Sequence, residues 1–533
     1  MERKTQRLVR ERSAGRFRRA AWLATTGLTA ILISPGSLMA QTTLAPDTTP
    51  QGGVVVGGNS TITQGAGTTT INQTSQLTAI NWQSFNVGSA AEVQFVQPSS
   101  TAIALNRVVS ADPSVIAGKI NANGQIVLVN QSGVVFTKGS QVNAESIFVS
   151  TSNVATKDFM AGRMVFSGTP NPGAKIINDG QLTARQAGLV GLVAPQVENN
   201  GVITAQLGQV ALAGASAFTL DLYGDRLISL DVTQAVRAVD VGGKLVPALV
   251  TNNGVILADG GKVTLTAQDA DALVTQLINA GGTIRTNTVG ANTGTISIQG
   301  VGGDIQIAGN LLAQGTQPGG TGGAVEAVTT GKVSVAPGAV IDASGDAGGG
   351  VVALGTDLQR ARMGAADTAA PRAAAVVVAQ GAVVKAQATG KGNGGTVTLL
   401  SARSTEFAGM ISAQGGPGGG NGGLVEISSD GVIALGGTVV DTALNGQPGE
   451  ILLDPQTLIV SSSGASSGQT TYIDPASLIS MTGSIVLSAN KLVDVASAIN
   501  LTAASSLTLA SGGDVTIGAS IDTHGSLEID ALG

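Results

Sequence analysis

The sequence predicts an all-β protein: a right-handed parallel β-helix, or β-solenoid, with capping strands at its N-terminal end. The first observation is a recurring unit, Asn-x-Gly-x-(apolar)-x-Ala, followed seven or eight residues on by Gly-x-(apolar)-x-Leu. It occurs at Asn178-Asp179-Gly180-Gln181-Leu182-Thr183-Ala184, at Asn199-Asn200-Gly201-Val202-Ile203-Thr204-Ala205 and at Asn252-Asn253-Gly254-Val255-Ile256-Leu257-Ala258. Short strands repeating about every 20 residues between Gly and Asn turns are a solenoid signature, because one coil cannot bury its Val, Leu and Ile alone whereas stacked coils share an apolar column. The second observation is composition. The chain is 43% hydrophobic and only 2% aromatic, with 76 glycines in 533 residues, which suits a narrow aliphatic core cut by tight turns.

Composition also excludes function classes. There are no cysteines and one histidine, His524, so thiolate chemistry, Cys-type metal sites and His-cluster metal sites are absent. Beyond residue 40 the chain carries 20 basic and 32 acidic residues, a net charge of −12. A nucleic-acid partner would require a basic face, so none is expected.

Taken in order, Met1 to Arg19 is a basic n-region, Ala20 to Ile33 an apolar h-region, and Pro35 to Ala40 a breaker ending in a small residue before Gln41. This is the layout of a signal peptide cleaved between Ala40 and Gln41. The apolar run of about 14 residues is short of the ~20 that a spanning helix needs. Residues 41–58, rich in Thr, Pro and Gly, read as a flexible lead-in.

From Asn59 the pattern is β-like, with Thr61-Ile62-Thr63 and Thr68 to Asn72 alternating polar and β-branched positions. Trp82 and Phe85 place two of the 13 aromatics three residues apart, as a plug over the open end of the core or as part of a recognition surface. Ile126-Val127-Leu128-Val129 is apolar at every position, so it should be covered on both faces. Asn130-Gln131-Ser132-Gly133 reads as a tight turn, since Asn and Gly tolerate positive φ, and Val134-Val135-Phe136 as the next buried strand.

These stretches carry a resemblance. Asn81-Trp82-Gln83-Ser84-Phe85-Asn86-Val87-Gly88, Val93 to Pro98, Leu105-Asn106-Arg107-Val108, Ile116 to Ile120, Ala122 to Ile126 and Asn130 to Phe136 occur in one order over about 60 residues. In that order they resemble the N-terminal secretion domain of the filamentous haemagglutinin family, the exported partners of two-partner secretion systems. One departure is that the family commonly has Asn-Pro-Asn-Gly where this chain has Asn130-Gln131-Ser132-Gly133. The resemblance implies export through the periplasm and recognition by a cognate outer-membrane β-barrel transporter. It further implies passage in an unfolded state and folding at the surface of a Gram-negative cell. By the same resemblance, Asn81, Trp82, Phe85, Asn86, Asn106, Arg107, Asn130, Gln131, Ser132 and Gly133 are candidates for transporter recognition or capping. The secretion domain is expected over 41–286, after a signal peptide at 1–40, with a β-helical repeat region over 287–533.

The repeat region continues the theme at Gly322 to Val328, Gly394 to Leu400 and Gly422 to Ser428. Leu358 to Ala374 breaks it and reads as a loop leaving the solenoid with a helical turn. At about 21 residues and ~4.8 Å per coil, the rod would be on the order of 100 Å long. Asp342, Asp346, Asp441, Asp454 and Asp474 read as turn residues. A β-helix carbohydrate-active enzyme would need clustered acids at about 5–10 Å separation, which the pattern does not supply. The resemblance therefore implies a secreted or surface-exposed, non-enzymatic, cofactor-free adhesin that meets a host or neighbouring-cell receptor or glycan. The alternatives are such an enzyme, or a truncated carrier of a contact-dependent toxin.

Overall fold

The computed structural model describes residues 44–532, apart from 221–227, 231–235, 237–246, 270–273, 275, 365–368 and 502–505. The expected signal segment and its Ala40–Gln41 junction lie outside the described residues. Residues 44–532 wind into a parallel β-helix with three ladders of strands, as the repeat pattern predicts. The first ladder starts at Leu77–Trp82 and Ile103–Val108 and ends at Leu527–Ala531. The second starts at Ser114–Ile116 and Val134–Phe136. The third starts at Thr68–Gln73 and Glu92–Val96 and ends at Met481–Thr482. First and second ladders merge because the 12-residue strand Thr396–Phe407 turns the corner between them. Its first half pairs with Leu424–Ser429 and its second with Val432–Leu435.

Alternate side chains point inward, and one continuous core of Val, Ile, Leu and Ala runs from Ile71 to Leu509. Asn residues stack at the corners. Asn178 Nδ2 donates to Asn199 Oδ1 and Asn199 Nδ2 to Asn252 Oδ1, both at 2.7 Å and fully buried, so each amide meets the one above it. Registered residues are 21 apart at Asn178 and Asn199 but 27 apart at Asn287 and Gln314 and 28 at Gln414 and Thr442. Most coils between Thr283 and Val440 are longer because they add a Gly-rich turn, whereas the last two return to 22 and 20 residues. With fewer coils than a uniform 21-residue period gives, about 15 steps of ~4.8 Å make a rod of roughly 70 Å.

A second, smaller core lies outside the helix. Ala79, Leu105, Val127 and Phe148 face outward from the first ladder and are covered by Phe159, Phe166 and Phe218. Ile126 to Val129 is thus buried on both faces. The cover is the helix Thr156–Met160 with the antiparallel strands Val165–Phe166, Phe218–Leu220 and Ile228–Leu230. Phe166 and Phe218 stack at 4.6 Å.

The predicted loop leaves the solenoid after Leu354 and forms the helix Leu358–Met363, N-capped by Asp357, before rejoining at Ala373. Asp474 caps the helix Pro475–Ile479 in the same way. Asp441 departs from its expected role as a turn residue. It is fully buried, in the inward column that alanine occupies in the preceding coils at Ala343, Ala386 and Ala413.

Candidate recognition site

The N-terminal end of the helix is closed by strands running against the axis. Val54–Gly57 pairs antiparallel with Leu77–Trp82, and Ser60–Gly65 pairs antiparallel with Thr68–Gln73. Beneath them Trp82 and Phe85 are buried edge to face, with centroids 5.5 Å apart at 81°. Gly53 lies so close that a Cβ there would sit 2.6 Å from the indole ring. The two rings form the plug over the first core layer. Burying each contributes roughly 1.5–3 kcal/mol.

Asn106 is also buried, on the inward face beside Trp82. Its Oδ1 accepts from the indole Nε1 at 3.1 Å, and its Nδ2 donates to Ala104 O at 3.2 Å. It thereby satisfies the one polar atom that the tryptophan brings into the core.

On the outward face of the same strand pair, Arg107 stands opposite Asn81. Its guanidinium makes four hydrogen bonds: Nη1 to Asn81 Oδ1 (3.1 Å) and Thr156 Oγ1 (3.0 Å), Nε to Asn153 Oδ1 (2.7 Å), and Nη2 to Val154 O (2.5 Å). None of these partners is a carboxylate. Burial lowers the guanidinium pKa from its ordinary value. Arg107 therefore rivets the outer cover, through residues 153–156, to the first two coils.

Asn86 and the turn at 130–133 meet through one segment. Asn86 Oδ1 accepts from Val115 N at 2.8 Å, while Asn130 Nδ2 donates to Asp112 O and Ser114 Oγ, both at 3.0 Å. Asn130 Oδ1 accepts from Ser132 N at 2.9 Å, the local turn read from the sequence. Gly133 has φ +109°, and a Cβ there would sit 2.6 Å from Lys175 O, so glycine is required on both counts. Gln131 Nε2 donates to Thr169 O at 2.6 Å, and Ser132 Oγ accepts from Asn171 Nδ2 at 2.7 Å. Both are half-buried.

The candidate residues thus divide by position. Trp82, Phe85, Asn106, Asn130 and Gly133 are buried, whereas Asn81, Asn86, Arg107, Gln131 and Ser132 reach the surface in part. Sequence reasoning missed Val54 and Val56, 59% and 40% exposed on the outermost cap strand. Their signal is the run Val54-Val55-Val56 before Gly57. His524 is exposed, with Nδ1 3.2 Å from Leu501 O. Among the described residues, no group of acids and histidine is placed to hold a metal ion.

The fold is a capped parallel β-helix with an outer cover over its first coils, and the chain belongs to a secretion-domain family: the TPS (two-partner secretion) secretion domain family model matches residues 46–313. The protein is accordingly a two-partner secretion exoprotein, and its domain implies a cognate transporter and a Gram-negative source. The crystal structure of the HMW1 secretion domain from Haemophilus influenzae is similar, with a TM-score of 0.62 and 26% identity, covering 75% of this chain and all of that one. A heme/hemopexin-binding protein of Haemophilus influenzae is 32% identical over 233 residues, which is 41% of this chain. A second protein of that name is 40% identical over 85 residues. The matches span 24% and 9% of those relatives' lengths.

Proposed function

We propose that the cap and the coils it closes are the export address read by the cognate outer-membrane transporter, and that the rod beyond is displayed outside the cell as a non-enzymatic adhesive surface. The observation that carries the first part is the cap itself. Among the described residues, Val54–Gly57 and Ser60–Gly65 each have a strand partner on one side only, which suits strand addition by a partner. In this reading Asn81, Asn86, Arg107, Gln131 and Ser132 present the surface beside those edges, and Trp82, Phe85, Asn106, Asn130 and Gly133 hold it in shape. Residues 41–286 would then serve as the address and 287–533 as the displayed rod, after removal of residues 1–40.

The test is co-expression with the candidate transporter. Partner-dependent release of a product beginning at Gln41 supports the reading, and retention in the periplasm regardless of the partner overturns it. The names of the two relatives favour a second reading for the displayed part, binding of haem or hemopexin. A haem titration of the released protein, followed by its absorption spectrum, separates this from adhesion, which is scored by binding to cells.

A further inference from the structure

Along the second ladder the strands follow chain order as far as Val432–Leu435, which pairs with the second half of Thr396–Phe407. There the order inverts. Thr457–Val460 comes next in the chain, but its neighbour on the N-terminal side is Thr470–Ile473, a strand that follows it. The register is Thr457↔Thr470 to Val460↔Ile473, and Thr457 N and Ser461 N donate to Gln469 O and Ile473 O at 3.1 and 2.9 Å. On its other side the inserted strand lies against Val432–Leu435, where buried Thr471 accepts from Ile433 N through Oγ1 at 3.0 Å. The first ladder has no such insertion, since Glu450–Asp454 pairs directly with Leu424–Ser428.

A solenoid assembled by templating adds each strand to the edge left by the coil before it. Thr457–Val460 has no such edge until residues 470–473 have come back to fill the gap. We infer that coil 450–482 is an assembly checkpoint: stacking along the second ladder halts at Leu435 until the chain is available through Ile473, and the strands beyond it wait. The later strands Leu492–Val495 and Asp514–Ile517 are laid on Thr457–Val460 and depend on it in turn. The inference stands on strand order alone. Only its bearing on export rests on the reading above: a passenger emerging N-terminus first would fold outside as far as Asp454 on the first ladder but only to Leu435 on the second, and would then need the chain through Ile473 at once.

Refolding of the purified full chain, followed by pulsed hydrogen exchange and mass spectrometry, tests this without a transporter. Amides of 457–460 are expected to gain protection together with those of 470–473 and later than those of 450–454. Protection of 457–460 ahead of 470–473 overturns the inference. A variant sharpens the result: about 20 Gly/Ser residues inserted after Ser462 lengthen the nine-residue connection 461–469. By loop-closure entropy they should slow protection of 457–460 roughly fivefold and leave 450–454 unchanged. A rate for 457–460 that ignores the insertion would equally overturn it.

Discussion

Arg360 donates through Nη1 and Nη2 to the two carboxylate oxygens of Glu426, at 3.0 and 2.6 Å, and both side chains are almost wholly buried. The arginine comes from the helix Leu358–Met363 and the glutamate from the first ladder. Glu326, two rungs beyond Thr398 in the same column, accepts from Leu358 N at 3.1 Å. Between the two acids lie only Ala353 and Thr398, and the helix rests over that notch. Arg360→Met should cost about 3–5 kcal/mol, because it leaves a buried carboxylate unpaired. The double variant Arg360→Met with Glu426→Gln should recover much of the loss. Denaturant unfolding of the set, with the coupling read from the cycle, checks it; additive losses would refute the pairing.

Arg107→Ala should loosen the outer cover while sparing the plug, since the four bonds it loses all run to Asn81 and to residues 153–156. A loss of about 2–3 kcal/mol is expected from hydrogen bonds to a charged group. Limited proteolysis should show faster cutting around 153–166, with the Trp82 fluorescence of the cap unchanged. Arg107→Lys, a point charge without the fork, should restore only part of the protection.

Asp441 makes stability depend on pH. Its Oδ1 accepts from Gly423 N at 2.6 Å, and its buried Oδ2 has no hydrogen-bond partner. Burial, reinforced by Glu450, raises its pKa to about 7 against the bond to Gly423. The folded state holds this proton more tightly than the unfolded chain, so the contribution of Asp441 to stability is greatest below about pH 4. It falls as pH rises and levels off above pH 7, at a penalty of roughly 4 kcal/mol. Asp441→Ala, the residue the column carries at Ala413, should raise Tm at pH 8 and flatten the profile between pH 4 and 7. An unchanged slope would refute this.

Asn199 both gives and receives in the buried amide stack. Asn199→Ala strands the donor of Asn178 and the acceptor of Asn252, at an expected cost of about 1–3 kcal/mol for each group left unpaired. The same substitution at exposed Asn200 should cost under about 1 kcal/mol. Thermal unfolding of the pair measures the difference.

Much of the fold is legible because a solenoid repeats its own evidence. Ile126 to Val129 announces burial on both faces through apolar residues at every position, and Leu358 to Ala374 announces its excursion by breaking the pattern. What the pattern does not carry are contacts between distant segments. Besides Asn81, Arg107 finds its partners 46 to 49 residues on, and Arg360 finds Glu426 66 residues on, with no spacing rule to join them. Within the candidate site, Trp82 and Phe85 stand out as rings in a chain almost without them, whereas the partner that satisfies the indole, Asn106, looks like any other strand asparagine. Asp441 is missed for a different reason. Its column shows only when Val439-Val440-Asp441 is aligned beneath Ile411-Ser412-Ala413, and a coil length varying between 20 and 53 residues hides that alignment.

The glycine spine of the later coils bears on how such a rod can change over generations. Gly323, Gly350, Gly395 and Gly423 each lie so close beneath the preceding coil that a Cβ would come within 2.0 to 2.2 Å of the backbone oxygen of Gly294, Gly323, Gly350 and Gly395 in turn. A duplication or deletion that begins and ends on this spine meets its neighbours with the same bare backbone and is absorbed. One that cuts elsewhere brings a side chain against a carbonyl and forces two coils apart. Length is thus inherited in whole coils, and the spine acts as the ruler.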